Sequence, residues 1–400
     1  MEDIVQIKEN IKNYIKSAKK YNIPEENIGV DIKKIGGLSN INYSAIVKNV
    51  ETDERIVQLL YRKFGALSDS VNHELEITII KYLANKGYGP KLLHEVPGDY
   101  RLSEYLVGTT SIPKEKGLDK SLLDKLIHIL NLFTSISYTY RYKANGDQIS
   151  LIPIDDGIKE KRIEVNKNQY LNCMVDWLEK ARTVYKKFTD QFRLKYSKEK
   201  HQKEWADVEL VQHYLDNFKE YFLQNFPSKG FFVLNHNDTH RLNLLLRKKD
   251  QKLFLIDQEF AFLNLPGNDM ANYLNEVFFN YEPDYYCSLD KLDFNKTYMF
   301  YEKFIEQFIQ GHKFLEKQEG GKEFLKTIKT KKYFIQLTNI INLYFFLWSF
   351  CYTDFAAWDK DHYGEYYFVH GVDRIKFYFW SYSSYFDWKS SSSSSPLSRR

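Results

Sequence analysis

Cysteine is nearly absent: Cys173, Cys287 and Cys351 are the only three in 400 residues, far apart and at no metal-ligand spacing. That excludes a disulfide framework and favours a reducing compartment, so a cytoplasmic location is expected. An excess of charge is lacking too. The 57 basic and 53 acidic residues leave +4, which argues against a dedicated nucleic-acid binder with its clustered basic face. The most apolar stretch, Tyr333–Tyr352, has the length of a membrane span, but Gln336, Thr338, Asn339 and Asn342 interrupt it and no second span exists. A buried core helix is predicted there, and no transmembrane segment. Met1–Lys20 reads as an amphipathic helix whose charges begin at once, so no export signal is expected. No repeat recurs at a period of roughly 20–50 residues.

What is present is a globular composition, 43% hydrophobic, and a length that suggests two or three domains at about 150 residues each. Aromatics are abundant, with 31 Tyr and 29 Phe. Lys, Asn, Ile, Tyr and Phe share AT-rich codons, so this abundance reads as codon bias and an aromatic residue must be argued from its position. The C-terminus is low-complexity: Ser390–Ser395 are followed by Pro396. A tail over 386–400 with nothing apolar to bury is expected to be disordered.

The first hundred residues read as a small mixed unit. Asp31–Val47 alternates around Gly36-Gly37 like two strands and a tight turn, and Arg55–Arg62 and Tyr100–Val107 read as further strands. Leu75–Lys86 has helical spacing and stops before Gly87. Beyond Gly108 the pattern is long and helical, as in Lys120–Tyr138 and Asp207–Phe226. The exception is two short apolar runs, Phe231–Asn235 and Leu253–Ile256, read as one hairpin within the helical part. The expected organisation is α+β: a strand-rich lobe over 1–107, a helical lobe over 108–385 and a cleft between them. The Lys-rich stretch Tyr140–Glu204 is left open.

The strongest chemical signal is His236-Asn237-Asp238-Thr239-His240-Arg241-Leu242-Asn243, followed by Leu253–Asp257. Phosphoryl transfer needs a carboxylate near the attacking hydroxyl and oxygen ligands for magnesium beside the triphosphate. An H-x-D-x4-N spacing, then an Asp at the end of an apolar strand fourteen residues after Asn243, supplies both. Gln258-Glu259 follows that Asp where a protein kinase has Phe-Gly, so an ordinary protein kinase is not expected.

These residues resemble the choline/ethanolamine kinase family, within the larger aminoglycoside-phosphotransferase-like group. One match is HND-x4-N. A second is Ile256–Glu276, IDQEFAFLNLPGNDMANYLNE, in which Asn264, Gly267, Asp269, Asn272 and Glu276 fall at the family's spacing. Gly36-Gly37-Leu38-Ser39-Asn40 resembles its phosphate-binding turn, Arg62-x-Phe64-Gly65 its R-x-Y-G, and Gly89-Pro90-Lys91 its G-P-K. The resemblance implies a two-lobed protein-kinase-like fold with ATP and Mg2+ as cofactors. It makes Asp238 the base toward the substrate hydroxyl and Asn243 and Asp257 the magnesium ligands. Arg62 reaches the phosphates, Glu76 is its ion-pair partner, and Gly36, Gly37, Leu38, Ser39 and Asn40 offer backbone N–H groups to phosphate. Glu104 falls at the adenine hinge.

A quaternary ammonium donates no hydrogen bond, so aromatic faces and a carboxylate hold it best. By resemblance those are Glu276, Tyr281, and a late W-x-x-W helix that appears here as Phe345 and Trp348. A family Tyr four residues before a late Arg appears as His370 before Arg374, with Tyr366 and Tyr367 close by. The expected reaction is phosphorylation of choline, the first step of phosphatidylcholine synthesis, with ethanolamine as the alternative. An aminoglycoside-type kinase is a more distant one. A kinase-like binding module would be expected to lose Asp238, Asn243 or Asp257, and all three are present. Oligomeric state, a homodimer included, regulation and the exact cage are left open.

Overall fold

The computed structural model describes residues 2–18, 21, 23–36, 40–65, 73–145, 148–153, 167–225, 231–280, 286–287, 293–317, 319–351 and 368–378. The predicted tail lies outside them.

Along the chain, α1 (Glu2–Ser17) precedes a sheet of β1 (Ile28–Gly36), β2 (Ile41–Asn49) and β3 (Arg55–Lys63), then α2 (His73–Asn85), β4 (Leu92–Val96) and β5 (Tyr100–Glu104). These five strands are antiparallel in the order β1-β2-β3-β5-β4. Next come β6 (Thr109–Ser111), α3 (Lys120–Thr139), a hairpin of β7 (Tyr140–Asn145) and β8 (Gln148–Pro153), α4 (Lys167–Lys195) and α5 (Gln202–Asn225). Short strands follow: β9 (Val233–Asn235), β10 (Leu244–Arg247), β11 (Leu253–Leu255) and β12 (Phe262–Asn264). The described remainder is mainly helical, with α6 (Asn268–Glu276), α7 (Phe294–Gly311), α8 (Gly321–Ile328), α9 (Lys331–Cys351) and α10 (368–378), and one short strand pair, Phe279–Asn280 with Tyr286–Cys287. The stretch left open in the sequence is thus a hairpin and the long α4 in its described part.

The chain divides into two compact units. The first comprises Met1–Lys116, Ile136–Lys161 and Arg241–Ala261; the second comprises Gly117–Ser135, Arg162–His240 and Phe262–Arg400. In the first, α1 presents Ile7, Ile11, Tyr14 and Ile15 at helical spacing to a core with Val30, Ala45, Val47, Leu59, Tyr61 and Leu102 from the sheet. Successive side chains alternate between this core and the opposite face, where β5 also buries Arg101 and Ser103. In the second, α9 is a core helix as expected. Its two buried asparagines are partnered: Asn339 Nδ2 donates to Asn225 Oδ1 at 2.7 Å, and Asn342 Nδ2 to the Thr338 carbonyl at 2.8 Å. Among the described residues, no helix is long and apolar enough to cross a membrane.

Two expectations are corrected. The runs around Val233 and Leu253 do not pair with each other: β9 pairs with β12, and β11 with β10. The cause is a tight turn at Lys248–Asp250, closed by Arg247 on Asp250, which folds β11 straight back on β10. β10 also pairs with β6, so this hairpin belongs to the first unit rather than to the helical part. The strand read as Tyr100–Val107 ends at Glu104, because Gly108 turns at φ 73° to start β6.

Candidate active site

In the first unit, the β10–β11 hairpin places the two expected metal ligands. Leu244 pairs with Leu255, and the Ile256 N–H donates to the Asn243 carbonyl at 3.0 Å, so Asn243 and Asp257 emerge together at the open end. Asn243 is buried, and the Asp257 side chain is 30% exposed. Asp257 holds φ 66°, a left-handed conformation that costs a non-glycine residue of order 1 kcal/mol and collects at functional turns. An amide and a carboxylate oxygen are hard donors suited to magnesium, which keeps water and phosphate oxygens for the rest of its shell.

Arg62 on β3 faces the same end. Its Nη2 lies 2.9 Å from Asp257 Oδ1, and its Nη1 lies 3.6 Å from Glu76 Oε1 and 3.9 Å from Glu259 Oε2. Burial works against its charge, but Asp257, Glu76 and Glu259 outweigh it and raise its pKa. The Arg62–Glu76 pair is thus not a surface salt bridge: Glu76 is buried and the Arg62 side chain is 13% exposed. It is also shared. Arg101 on β5 donates to both Glu76 oxygens, at 2.8 and 2.9 Å, and is the nearer partner. Burial pushes the Glu76 carboxyl up, yet His73, Arg101 and Arg62 together pull it down to about 2. Sequence reasoning missed Arg101; its one signal is an arginine inside a run otherwise fit for a buried strand.

Asn40 ties this corner together, donating to Glu259 Oε2 at 2.5 Å and accepting from the Gly65 N–H at 3.2 Å. Glu259, also missed, is therefore a second buried carboxylate of the cluster. Gly36 ends β1, while Gly37, Leu38 and Ser39 lie outside the described residues. Glu104 is exposed at the end of β5, where its N–H donates to the Lys91 carbonyl at 2.8 Å.

In the second unit, β9 runs into the loop that carries Asp238. Asp269, in the first turn of α6, accepts from the backbone N–H of His236 at 2.7 Å and of Asn237 at 2.8 Å. Burial raises the Asp269 pKa, opposed by His236 and these two donors. Asn237 sits at φ 64° and its Oδ1 accepts from Asn264 Nδ2 at 2.8 Å. Asp238 itself is 23% exposed, with Oδ2 3.5 Å from His240 Nε2. Gly267 precedes α6 at φ 87°, and a Cβ there would lie 2.7 Å from the Tyr301 ring. The second half of the motif therefore anchors the first: Asn264 and Asp269 hold the loop, and Gly267 lets α6 begin.

Glu276 is the last residue of that same helix and is buried. Arg374 Nη2 donates to its Oε1 at 2.5 Å. The Arg374 guanidinium lies 3.7 Å from the Phe279 ring centre and 4.4 Å from that of Phe345. Phe345 and Trp348 stand edge to face at 6.5 Å, and Trp348 lies 6.3 Å from His370. The structure thus gathers Glu276, Phe345, Trp348 and His370 around Arg374. It differs from the expected cage in two respects: Phe345 bears on an internal cation, and the buried His370 side chain hydrogen-bonds Ser349 and Arg374. Tyr281 and Tyr367 lie outside the described residues.

The family model for choline/ethanolamine kinase matches residues 32–379. The chain belongs to the choline/ethanolamine kinase family. A curated relative, a probable ethanolamine kinase from Arabidopsis thaliana, is 27% identical over 252 residues, which is 62% of this chain and 56% of that protein. The chain thus spans little more than half the length of this curated relative. Among solved structures, the choline kinase of Cryptosporidium parvum Iowa II is similar at a TM-score of 0.59 with 18% identity, covering 93% of this chain and 95% of that one. The ethanolamine kinase of Plasmodium vivax reaches 0.53 with 16% identity, covering 92% and 87%. These likenesses establish the α+β protein-kinase-like fold expected from the sequence, with its β-sheet N-terminal region and mostly helical remainder. Every family motif quoted above lies within the matched span.

Proposed function

We propose that this chain transfers the γ-phosphoryl group of ATP to the hydroxyl of an amino alcohol, choline before ethanolamine. In that reaction the hydroxyl oxygen attacks the γ-phosphorus, the bond to the β,γ-bridging oxygen breaks, ADP leaves, and the hydroxyl proton goes to Asp238. Asn243 and Asp257 are the residues that would hold magnesium, whose chemistry there is to neutralise charge on the phosphate oxygens. Arg62, oriented by Glu76 and Glu259, would contact the phosphates, and Gly36, Gly37, Leu38, Ser39 and Asn40 would cradle them. Glu104 would flank the adenine.

The observation that carries this reading is the double duty of α6. Its first turn holds the loop of Asp238 through Asp269, and Glu276 lies seven residues further on. That is about 10 Å along a helix axis. One rigid element thus spaces the base from the carboxylate meant for an ammonium head. Trp348, partly buried beside Phe345, supports a trimethylated head, because aromatic faces suit a cation that donates no hydrogen bond. Tyr281 and Tyr367 would complete the cage. Ethanolamine is the second reading, favoured by the name of the Arabidopsis relative and by Arg374 already lying over Phe345.

On this reading the enzyme is a cytoplasmic one that opens phosphatidylcholine or phosphatidylethanolamine synthesis. The test is kcat/KM for choline, ethanolamine and an aminoglycoside with ATP, with and without magnesium. Metal-dependent turnover of choline is the expected result. Turnover of the aminoglycoside alone would overturn the substrate class.

A further inference from the structure

We propose that Arg374 and His370 are positioning residues for the head-group carboxylate Glu276, an inference that rests on the amino-alcohol reading above. Arg374 is fully buried in α10, and its Nη2 donates to Glu276 Oε1 at 2.5 Å. Its Nη1 reaches Asn342 Oδ1 at 3.4 Å, while the guanidinium plane lies over Phe279 and Phe345. A guanidinium can only donate. His370 Nε2, 3.2 Å from Arg374 Nε, must therefore be the bare ring nitrogen. The ring proton is thereby assigned to Nδ1, which donates to Ser349 Oγ at 2.6 Å, and the Ser349 hydroxyl donates in turn to the Phe345 carbonyl at 2.7 Å.

The donors thus run one way, from Arg374 through His370 and Ser349 to the helical turn that carries Phe345. From the same arginine a second bond goes to Glu276. Both ends land on the head-group site. Burial, and then the Arg374 charge, hold the His370 pKa well below the ordinary imidazole value, in keeping with its acceptor role. A hydrogen bond between charged groups fixes its partners more firmly than a neutral one, so the Arg374 bond sets the direction of the Glu276 carboxylate. Arg374 supplies the cation, and His370 fixes where it points.

The experiment compares wild type with His370→Leu, which removes both hydrogen bonds, and His370→Gln, whose amide can accept from Arg374 and donate to Ser349. KM for choline and ethanolamine, KM for ATP, and Tm are measured for each. The expected result is an amino-alcohol KM raised on the order of tenfold in His370→Leu, the loss of a buried bond to a charged group. KM for ATP stays in place, and His370→Gln recovers most of the effect. A merely structural histidine would lower Tm and the active fraction but leave both KM values where they were. If His370→Leu does not fold, Ser349→Ala removes the next link, with a rise of roughly threefold expected. Folded variants with unmoved amino-alcohol KM, or with both KM values rising together, overturn the positioning role alone. A wild-type enzyme that turns over neither alcohol overturns the proposed function and this role with it.

Discussion

Arg62 and Arg101 lie directly opposite each other on β3 and β5, and the buried carboxylate of Glu76 bonds the second and approaches the first. Like charges in cross-strand register repel. The register is tolerated because Glu76, from α2, places a carboxylate against both guanidinium groups, and Asp257 and Glu259 take up the rest of Arg62. Arg62, Arg101 and the carboxylates of Glu76, Asp257 and Glu259 thus belong to one network, in which the residue expected to reach phosphate is the one at the longer distance from Glu76.

Arg101→Met is therefore expected to destabilise the protein more than Arg62→Met. Removing one partner of a buried pair costs about 3–5 kcal/mol, and the lower end applies because Arg62 still faces Glu76. Arg62→Met should instead raise KM for ATP with a smaller change in Tm. Thermal melts and ATP kinetics on both variants check this, and reversed effects would exchange the two roles.

The same carboxylate has a pH signature. The Glu76 carboxyl is held at about 2 against an ordinary 4.5. Its folded pKa is depressed, so its contribution is complete above about 4.5 and fades as pH falls toward 2. The stability difference between wild type and Glu76→Gln should accordingly shrink over that window. Chemical denaturation at several pH values measures it, and a difference independent of pH would contradict the buried pairing.

Asp238→Ala is expected to lower kcat by roughly 10²–10⁴, the range of a general base, while nucleotide binding is largely kept. Asp269→Ala tests the loop anchor by another route. It frees the N–H groups of His236 and Asn237, so kcat should fall although Asp238 is intact. Near-normal turnover in Asp238→Ala would remove that residue from the chemistry.

Asp257→Asn should raise the magnesium requirement and lower kcat on the order of a hundredfold, as when one preorganised charge partner is removed. Titrating magnesium at saturating ATP checks this. An unchanged metal dependence would move the metal site elsewhere.

Much of the arrangement was legible because it obeys local rules. The alternation around Gly36, the helical spacing of Leu75–Lys86 and the motif spacing from His236 to Glu276 each state their own period. What was not legible depends on partners distant in the chain. Arg101 is one polar residue in a strand until α2 brings Glu76 onto it. Asp269 matched a spacing, but its hold on the loop appears only once α6 folds back on β9. His370 and Phe345 were read as cage walls by position; the spacing of His370 and Arg374 was visible, whereas the contacts of Arg374 with Glu276 and Phe345 join residues distant in the chain. The mispaired strands have the same origin: three-residue runs carry no register until a turn such as Lys248–Asp250 sets it.

The remaining prediction concerns the head group. A trimethylammonium spreads its charge over methyl groups and donates no hydrogen bond, so aromatic faces hold it at little desolvation cost. A primary ammonium carries three donors and loses hydrogen bonds in the same cage. A cation–π contact is worth about 0.5–2 kcal/mol, and about 1.4 kcal/mol is a factor of ten. Trp348→Ala should therefore lower choline kcat/KM by roughly tenfold, and ethanolamine kcat/KM by clearly less. Glu276→Gln removes the charge proposed to serve both heads and should penalise both. Phe345 faces Arg374 at 4.4 Å, so Phe345→Ala should act on both alcohols through Glu276 rather than on choline alone. The measurement is kcat/KM for both alcohols in wild type and the three variants. Equal losses in Trp348→Ala would make that ring a packing element, and the choline preference would then rest on nothing that the site displays.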